Sequence, residues 1–189
     1  MRWNAWTWTS RGPNWKTSPL PAAVWVARLH GRLPILGIIV QMNIFEALRV
    51  SHETQRGISA RLLAHPEDTP ERQQIFIELK RELLAHETAE ERCFYVPLIE
   101  HDATVDLSRH AIAEHHEMDE MVEHLEELAP ASPEWLDCAK KLCEKVEHHL
   151  IEEEHKFFQE AGKVLSEGQK QSLAKEYEAE FLTLRVKEG

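Results

Sequence analysis

This 189-residue sequence offers no disulfide framework. Its three cysteines, Cys93, Cys138 and Cys143, are odd in number and form no Cys-x-x-Cys pair. A reducing, cytoplasmic compartment is the simplest reading of that scarcity. Long apolar runs are absent as well. The longest spans residues 33–40 and has Gly37 inside it, far short of the roughly 20 residues of a membrane-spanning helix. Basic charge is also scarce. There are 22 Lys and Arg against 33 Asp and Glu, a net charge of −11. Such a chain lacks the basic footprint that sequence-independent binding to nucleic acid requires. With 42% apolar and 29% charged residues, it is not a chain expected to stay disordered.

Residues 1–41 contain no acidic side chain at all. They carry Arg2, Arg11, Lys16, Arg28 and Arg32, so all 33 acidic groups face only 17 of the 22 basic ones in the remainder. Five of the six tryptophans and four of the nine prolines also fall in this stretch. Three readings are open: a targeting segment without a clean cleavage signal, a basic arm lying on the acidic domain or a membrane surface, or residues preceding a true start at Met42. The pattern favours the last, because amphipathic periodicity opens at once with Phe45, Leu48 and His52.

From Met42 onward the chain reads as helices, since few windows show the alternation of a strand. The expected spans are about 43–64, 70–96, 104–128, 133–160 and 167–185. Thr69 before Pro70 and Ser132 before Pro133 are N-cap and first-turn pairs. Four long helices with short links predict an all-α, up-down-up-down bundle, with a short C-terminal helix packed outside or at one end. The expected organisation is a basic segment at 1–41, the bundle at 42–161 and an accessory helix at 162–189.

The chain also repeats itself. His86-x-x-x-Glu90-Glu91-x-x-Phe94-Tyr95 recurs 63 positions later as His149-x-x-x-Glu153-Glu154-x-x-Phe157-Phe158. The same offset carries His52 onto His115, Leu79 onto Leu142 and Pro70 onto Pro133. Helices one and two thus form a hairpin that recurs as helices three and four, which implies an approximate two-fold axis.

The polar residues of the repeat lie on the apolar stripes. Leu79, Leu83, His86, Glu90 and Cys93 follow three-four spacing, as do Leu142, Val146, His149, Glu153 and Lys156 or Phe157. His52 continues the stripe of Phe45 and Leu48, with Gln55, Ser59 and Leu62 beyond it. His115 stands between Ala111 and Met118. Four imidazoles and two carboxylates facing one axis are costly unless compensated, and no Lys or Arg interleaves with them. Bound metal resolves the conflict. With Glu90 and Glu153 bridging, two imidazoles per ion and a solvent oxygen between, each of two ions has five ligands and an open position. Iron or manganese suits such a set, and zinc is compatible. With Cys93 the only thiol on the four stripes, a structural thiolate zinc site is disfavoured.

On these motifs the chain resembles the hemerythrin-like, HHE cation-binding domains over about residues 43–160. The resemblance implies a four-helix bundle around a non-heme di-iron centre, oxo- or hydroxo-bridged. Its metal ligands would be His52, His86, Glu90, His115, His149 and Glu153, and dioxygen or peroxide its small ligand. It implies roles in oxygen or redox sensing, stress response, iron handling or peroxide chemistry. A metal-dependent module for an unidentified protein partner, without turnover, and a reversible oxygen binder are the alternatives, so whether the chain is an enzyme stays open. Two departures speak against a classical carrier. Asp119 stands where the carriers have a second helix-three histidine, and Glu153 follows His149 by four residues where they have an aspartate at five.

Several neighbours keep two readings. His116 and His148 could replace a ligand if the helix phase shifts by one, and Asp119 could reach the site. Glu91 and Glu154 either orient an imidazole or lie on solvated surface. Tyr95 either donates to a bridging group or walls the core with Phe94, Phe157 and Phe158. Cys93 reads as packing. His65, His101, His110, His124 and His155 read as solvent-facing or capping.

Overall fold

The computed structural model describes residues 42–187, so the expectation for residues 1–41 lies outside the described residues. Five helices follow in order. Helix α1 is Ile44–Leu63, and α2 starts as Pro70–Glu90 and runs on through Glu91–Tyr95 and Val96–Leu98. Helix α3 is Val105–Glu127. Helix α4 starts as Pro133–Glu152 and runs on through Glu153–Phe157 and Phe158–Val164, and α5 is Glu167–Lys187. No strand occurs among the described residues, and none of the described helices is long and apolar enough to cross a membrane.

Local chemistry sets the starts. Asn43 accepts from the Glu46 amide at 3.1 Å while the Glu46 carboxylate accepts from the Asn43 amide at 2.9 Å, a reciprocal cap that satisfies two exposed donors. Thr69 and Ser132 cap α2 and α4 with Pro70 and Pro133 in the first turn, as their sequence implies. Gly162 does not end α4. The helix continues to Val164, held by the buried Ala161, and breaks where Leu165 turns extended.

Both long second helices of the hairpins contain a widened π turn, at Glu91–Tyr95 and Glu153–Phe157. The two lie within one residue of the same repeat position, the first directly after Glu90 and the second starting at Glu153. A π turn inserts an extra residue and shifts the helix phase. Phe94 and Tyr95 are therefore both fully buried, as are Phe157 and Phe158, while Cys93 is only partly buried and Lys156 is exposed. Cys93 is thus displaced from the stripe on which straight three-four spacing puts it.

The core falls into two apolar clusters. One contains Leu48, Phe94, Tyr95, Leu98, Ala111, Phe157 and Phe158. The other contains Ile58, Leu62, Leu79, Leu83, Met118, Leu125, Leu142 and Val146. On every bundle helix the stripe passes from one cluster to the other through the polar repeat residues. His52 follows Leu48 and precedes Ile58, while His86 and Glu90 stand between Leu83 and Phe94. Helix α5 is no appendage at one end: it packs along α1 and α2 and buries Leu173, Ala174 and Tyr177 in the first cluster.

Candidate metal centre

Four helices deliver six polar side chains to the layer between the two clusters. His52 comes from α1, His86 and Glu90 from α2, His115 from α3, and His149 and Glu153 from α4. None is more than 3% exposed. The ligand atoms of His52, His86 and Glu90 lie within 4.8 Å of one another, and so do those of Glu90, His115 and His149. Glu90 is therefore common to both groups. Glu153 joins them from α4, its Oε2 3.2 Å from His52 Nε2.

The rings are held from outside. His52 Nδ1 meets Glu154 Oε1 at 2.8 Å, His115 Nδ1 meets Glu91 Oε1 at 3.0 Å, and His149 Nδ1 meets Glu114 Oε2 at 3.0 Å. His86 Nδ1 meets the Tyr177 hydroxyl of α5 at 2.9 Å. With every Nδ1 so engaged, a proton on Nδ1 donates outward and Nε2 turns its lone pair inward. His115 Nε2 and His149 Nε2 approach to 3.1 Å. His86 Nε2 and Glu90 Oε1 are buried without a hydrogen-bond partner, and His52 Nε2 faces only Glu153 Oε2, 3.2 Å away. Inward lone pairs and carboxylate oxygens are all acceptors, and only a cation or a proton satisfies them together. The residues thus fit a metal centre.

Tyr95 sits between the two carboxylates. Its hydroxyl donates to Glu90 Oε2 and Glu153 Oε1, 3.0 Å from each. Tyr95 lies five residues after Glu90, a spacing that turns off one face of an α-helix and that the intervening π turn brings back. Burial, reinforced by the charges of Glu153 and Glu90, holds its phenol well above the ordinary 10, so it stays a neutral donor.

Electrostatics divides the rings. Burial resists charge on His52, but its contacts with Glu153 and Glu154 and the field of Glu90 prevail and lift its pKa to about 9. Burial and the neighbouring imidazoles hold His86 and His115 well below 6.5. Burial and the adjacent Glu90 push Glu153 up to about 6, and burial also raises Glu90. Burial opposes ionisation of Glu114 and Glu154 as well, yet both fall to about 2. His149 and Lys145 hold the first, and His52 and Arg56 the second.

The neighbours resolve as follows. Glu91 and Glu154 orient imidazoles. Asp119 lies near Glu87, whose carboxyl its charge helps to raise, and belongs to neither group of potential ligands. His116 is exposed beside Glu120, and His148 is exposed on the surface of α4. His65 caps α1 through the Arg61 carbonyl. Sequence reasoning missed Glu114 and Tyr177 as ring partners. A crevice of about 10 Å³, about one water's worth of space, runs beside Glu114, His149 and Glu153, with the exposed His110 and the half-buried Glu152 also lining it.

Comparison with known proteins agrees with this geometry. The hemerythrin HHE cation binding domain profile matches residues 43–161. A crystal structure of a hemerythrin HHE cation binding domain-containing protein from Mycobacterium kansasii superposes with a TM-score of 0.70 at 24% identity, over 77% of this chain and 89% of that one. A DNA nickase of Nostoc sp. is 28% identical over 138 residues, which are 73% of this chain and 39% of that protein. The chain therefore spans about two-fifths of that relative's length. With the profile covering the whole bundle and both halves of the repeat, the chain belongs to the hemerythrin HHE cation binding domain family and is a metal-binding protein.

Proposed function

We propose that this protein is a non-heme di-iron protein whose reduced centre reacts with dioxygen or peroxide, in redox or oxygen sensing or in iron handling. One observation carries the reading. Four buried imidazoles are anchored at Nδ1 and turn Nε2 inward around two buried carboxylates. In this reading His52 and His86 serve one ion, His115 and His149 the other. Glu90 and Glu153 would be shared between them, Glu153 lying 3.2 Å from the His52 ring and lining the same crevice as His149. The mixed imidazole and carboxylate set suits iron, and manganese or zinc can occupy the same donors. A pair of ferrous ions supplies two electrons, enough to take dioxygen to the peroxide level.

The chain's own residues do the rest. The outer carboxylates fix ring orientation and raise ligand basicity. Tyr95 holds Glu90 and Glu153 in place and keeps a proton beside them. The crevice past His110 and Glu152 gives a small ligand a route to His149 and Glu153. A reversible carrier is disfavoured because Asp119 lies outside both groups of potential ligands and supplies no fifth imidazole. The nickase name stays with its bearer, most of whose length lies outside the match.

The test is anaerobic loading with ferrous iron, exposure to air, and then lowered oxygen pressure while the near-ultraviolet bands are followed. The oxidised centre should persist until a reductant is added. Repeated, complete return to the colourless form without reductant would overturn the reading. Steady-state consumption of peroxide would separate an enzyme from a binding module.

A further inference from the structure

The 63-position repeat relates not only the inward residues but their outer partners, and it fails at one place. His52 is held by Glu154 and His115 by Glu91, and these two pairs exchange under the offset. His149 is held by Glu114, which is ion-paired to Lys145 at 2.9 Å. The residues 63 positions before Glu114 and Lys145 are Ser51 and Glu82. The first half therefore has a serine where the second has the ring-holding carboxylate, and an acid where the second has a lysine. Ser51 donates to Glu82 Oε1 at 3.1 Å and does not hold His86.

Helix α5, which has no counterpart in the repeat, fills the gap. Tyr177 places its hydroxyl 2.9 Å from His86 Nδ1 and hydrogen-bonds Ser51. Arg185, two turns further along α5, meets Glu82 Oε2 at 3.1 Å. The outer nitrogen of His86 thus meets a neutral hydroxyl, whereas that of His149 meets a carboxylate. Tyr177, Ser51 and Glu82 are all buried, so water does not replace these contacts.

A carboxylate accepting from Nδ1–H makes the opposite nitrogen a stronger donor to metal, and a neutral hydroxyl does so less. We infer that the two metal positions are unequal, that the ion held by His115 and His149 is the tight one, and that the ion held by His52 and His86 is exchangeable and coupled to the docking of α5 through Tyr177. This rests on the proposed ligand set. Tyr177 acts as a positioning residue that touches the metal only through His86.

The test is an anaerobic titration of chelator-stripped protein with cobalt(II), following the ligand-field absorption and competing against a chromophoric chelator. Two steps should appear, separated by about tenfold or more. Tyr177→Phe should weaken only the second step, by about tenfold, and alter only the second increment of the spectrum. Glu114→Gln should weaken only the first and draw it toward the second. Limited proteolysis within α5 should slow on addition of the second equivalent and not of the first. Circular dichroism reports whether Tyr177→Phe folds; if it does not, Glu114→Gln and the proteolysis carry the test. Two ions bound in one indistinguishable step, or Tyr177→Phe weakening both steps alike, would overturn the inference while leaving the ligand set intact. Full cobalt binding by both His86→Ala and His149→Ala would instead remove the ligand set itself.

Discussion

Glu154→Ala separates a residue that orients the centre from one that belongs to it. Glu154 Oε1 lies 2.8 Å from His52 Nδ1 and 3.0 Å from an Arg56 nitrogen. Removal frees the His52 ring to turn, although Arg56 keeps Glu147 at 2.9 Å and Glu53 at 3.0 Å. Loss of an outer partner of a metal-bound histidine typically costs about 10–100-fold in affinity, which is about 1.4–2.7 kcal/mol. Glu90→Ala differs in kind. Glu90 is common to both groups of potential ligands, and two ions deprived of a shared carboxylate repel each other. Glu147→Ala is the control: it removes a carboxylate from Arg56 without touching an imidazole, and its effect should stay within about twofold, as for exposed ion pairs. The assay is competition for zinc against a chromophoric chelator, with bound metal counted after desalting. Glu154→Ala should retain two ions at reduced affinity, and Glu90→Ala should lose at least one outright. Wild-type affinity in Glu154→Ala, or equal losses in Glu154→Ala and Glu90→Ala, would refute the division of roles.

Further outcomes follow from the same structure. Residues 42–189 expressed alone should be helical and should bind as much metal as the whole chain; aggregation or loss of metal would contradict the domain division. Leu79→Ala, at a fully buried position away from the polar layer, should lower unfolding free energy by about 2–5 kcal/mol. Metal bound per folded chain should stay constant, as urea unfolding and metal analysis would show. Burial, partly opposed by the nearby Ser59 hydroxyl, pushes the Cys143 thiol up to about 11. Its reaction with a thiol reagent in native protein should therefore be negligible at neutral pH and climb as pH rises toward that value; rapid modification at pH 7 would contradict the burial.

The helices and the six inward residues were legible because their signals are local. Three-four spacing places His86 and Glu90 on the stripe of Leu79 and Leu83, and Thr69-Pro70 and Ser132-Pro133 mark their helix starts by capping chemistry. The π turns were not legible, because a fixed 3.6-residue period has no place for an inserted residue. Their trace was the adjacent buried pairs Phe94-Tyr95 and Phe157-Phe158, where a regular stripe shows one residue. The partner of His86 was hidden for a different reason. Tyr177 lies 91 positions away on a helix outside the repeat, and only the packing of α5 brings it in. Glu114 was written beside His115 in the sequence, yet it serves His149 on the next helix. Its counterpart Ser51 shows how internal symmetry can predict a position without fixing its chemistry.

The proposed function requires two metal ions paired inside one chain. The most direct measurement is Mössbauer spectroscopy with parallel iron and protein quantification on anaerobically loaded, then air-oxidised, protein. Two irons per chain are expected, both high-spin ferric, with a diamagnetic ground state from coupling across the shared carboxylates and a solvent bridge. The same sample should give no paramagnetic resonance signal of isolated ferric iron. One iron per chain, or two that behave as magnetically independent ions, would contradict it.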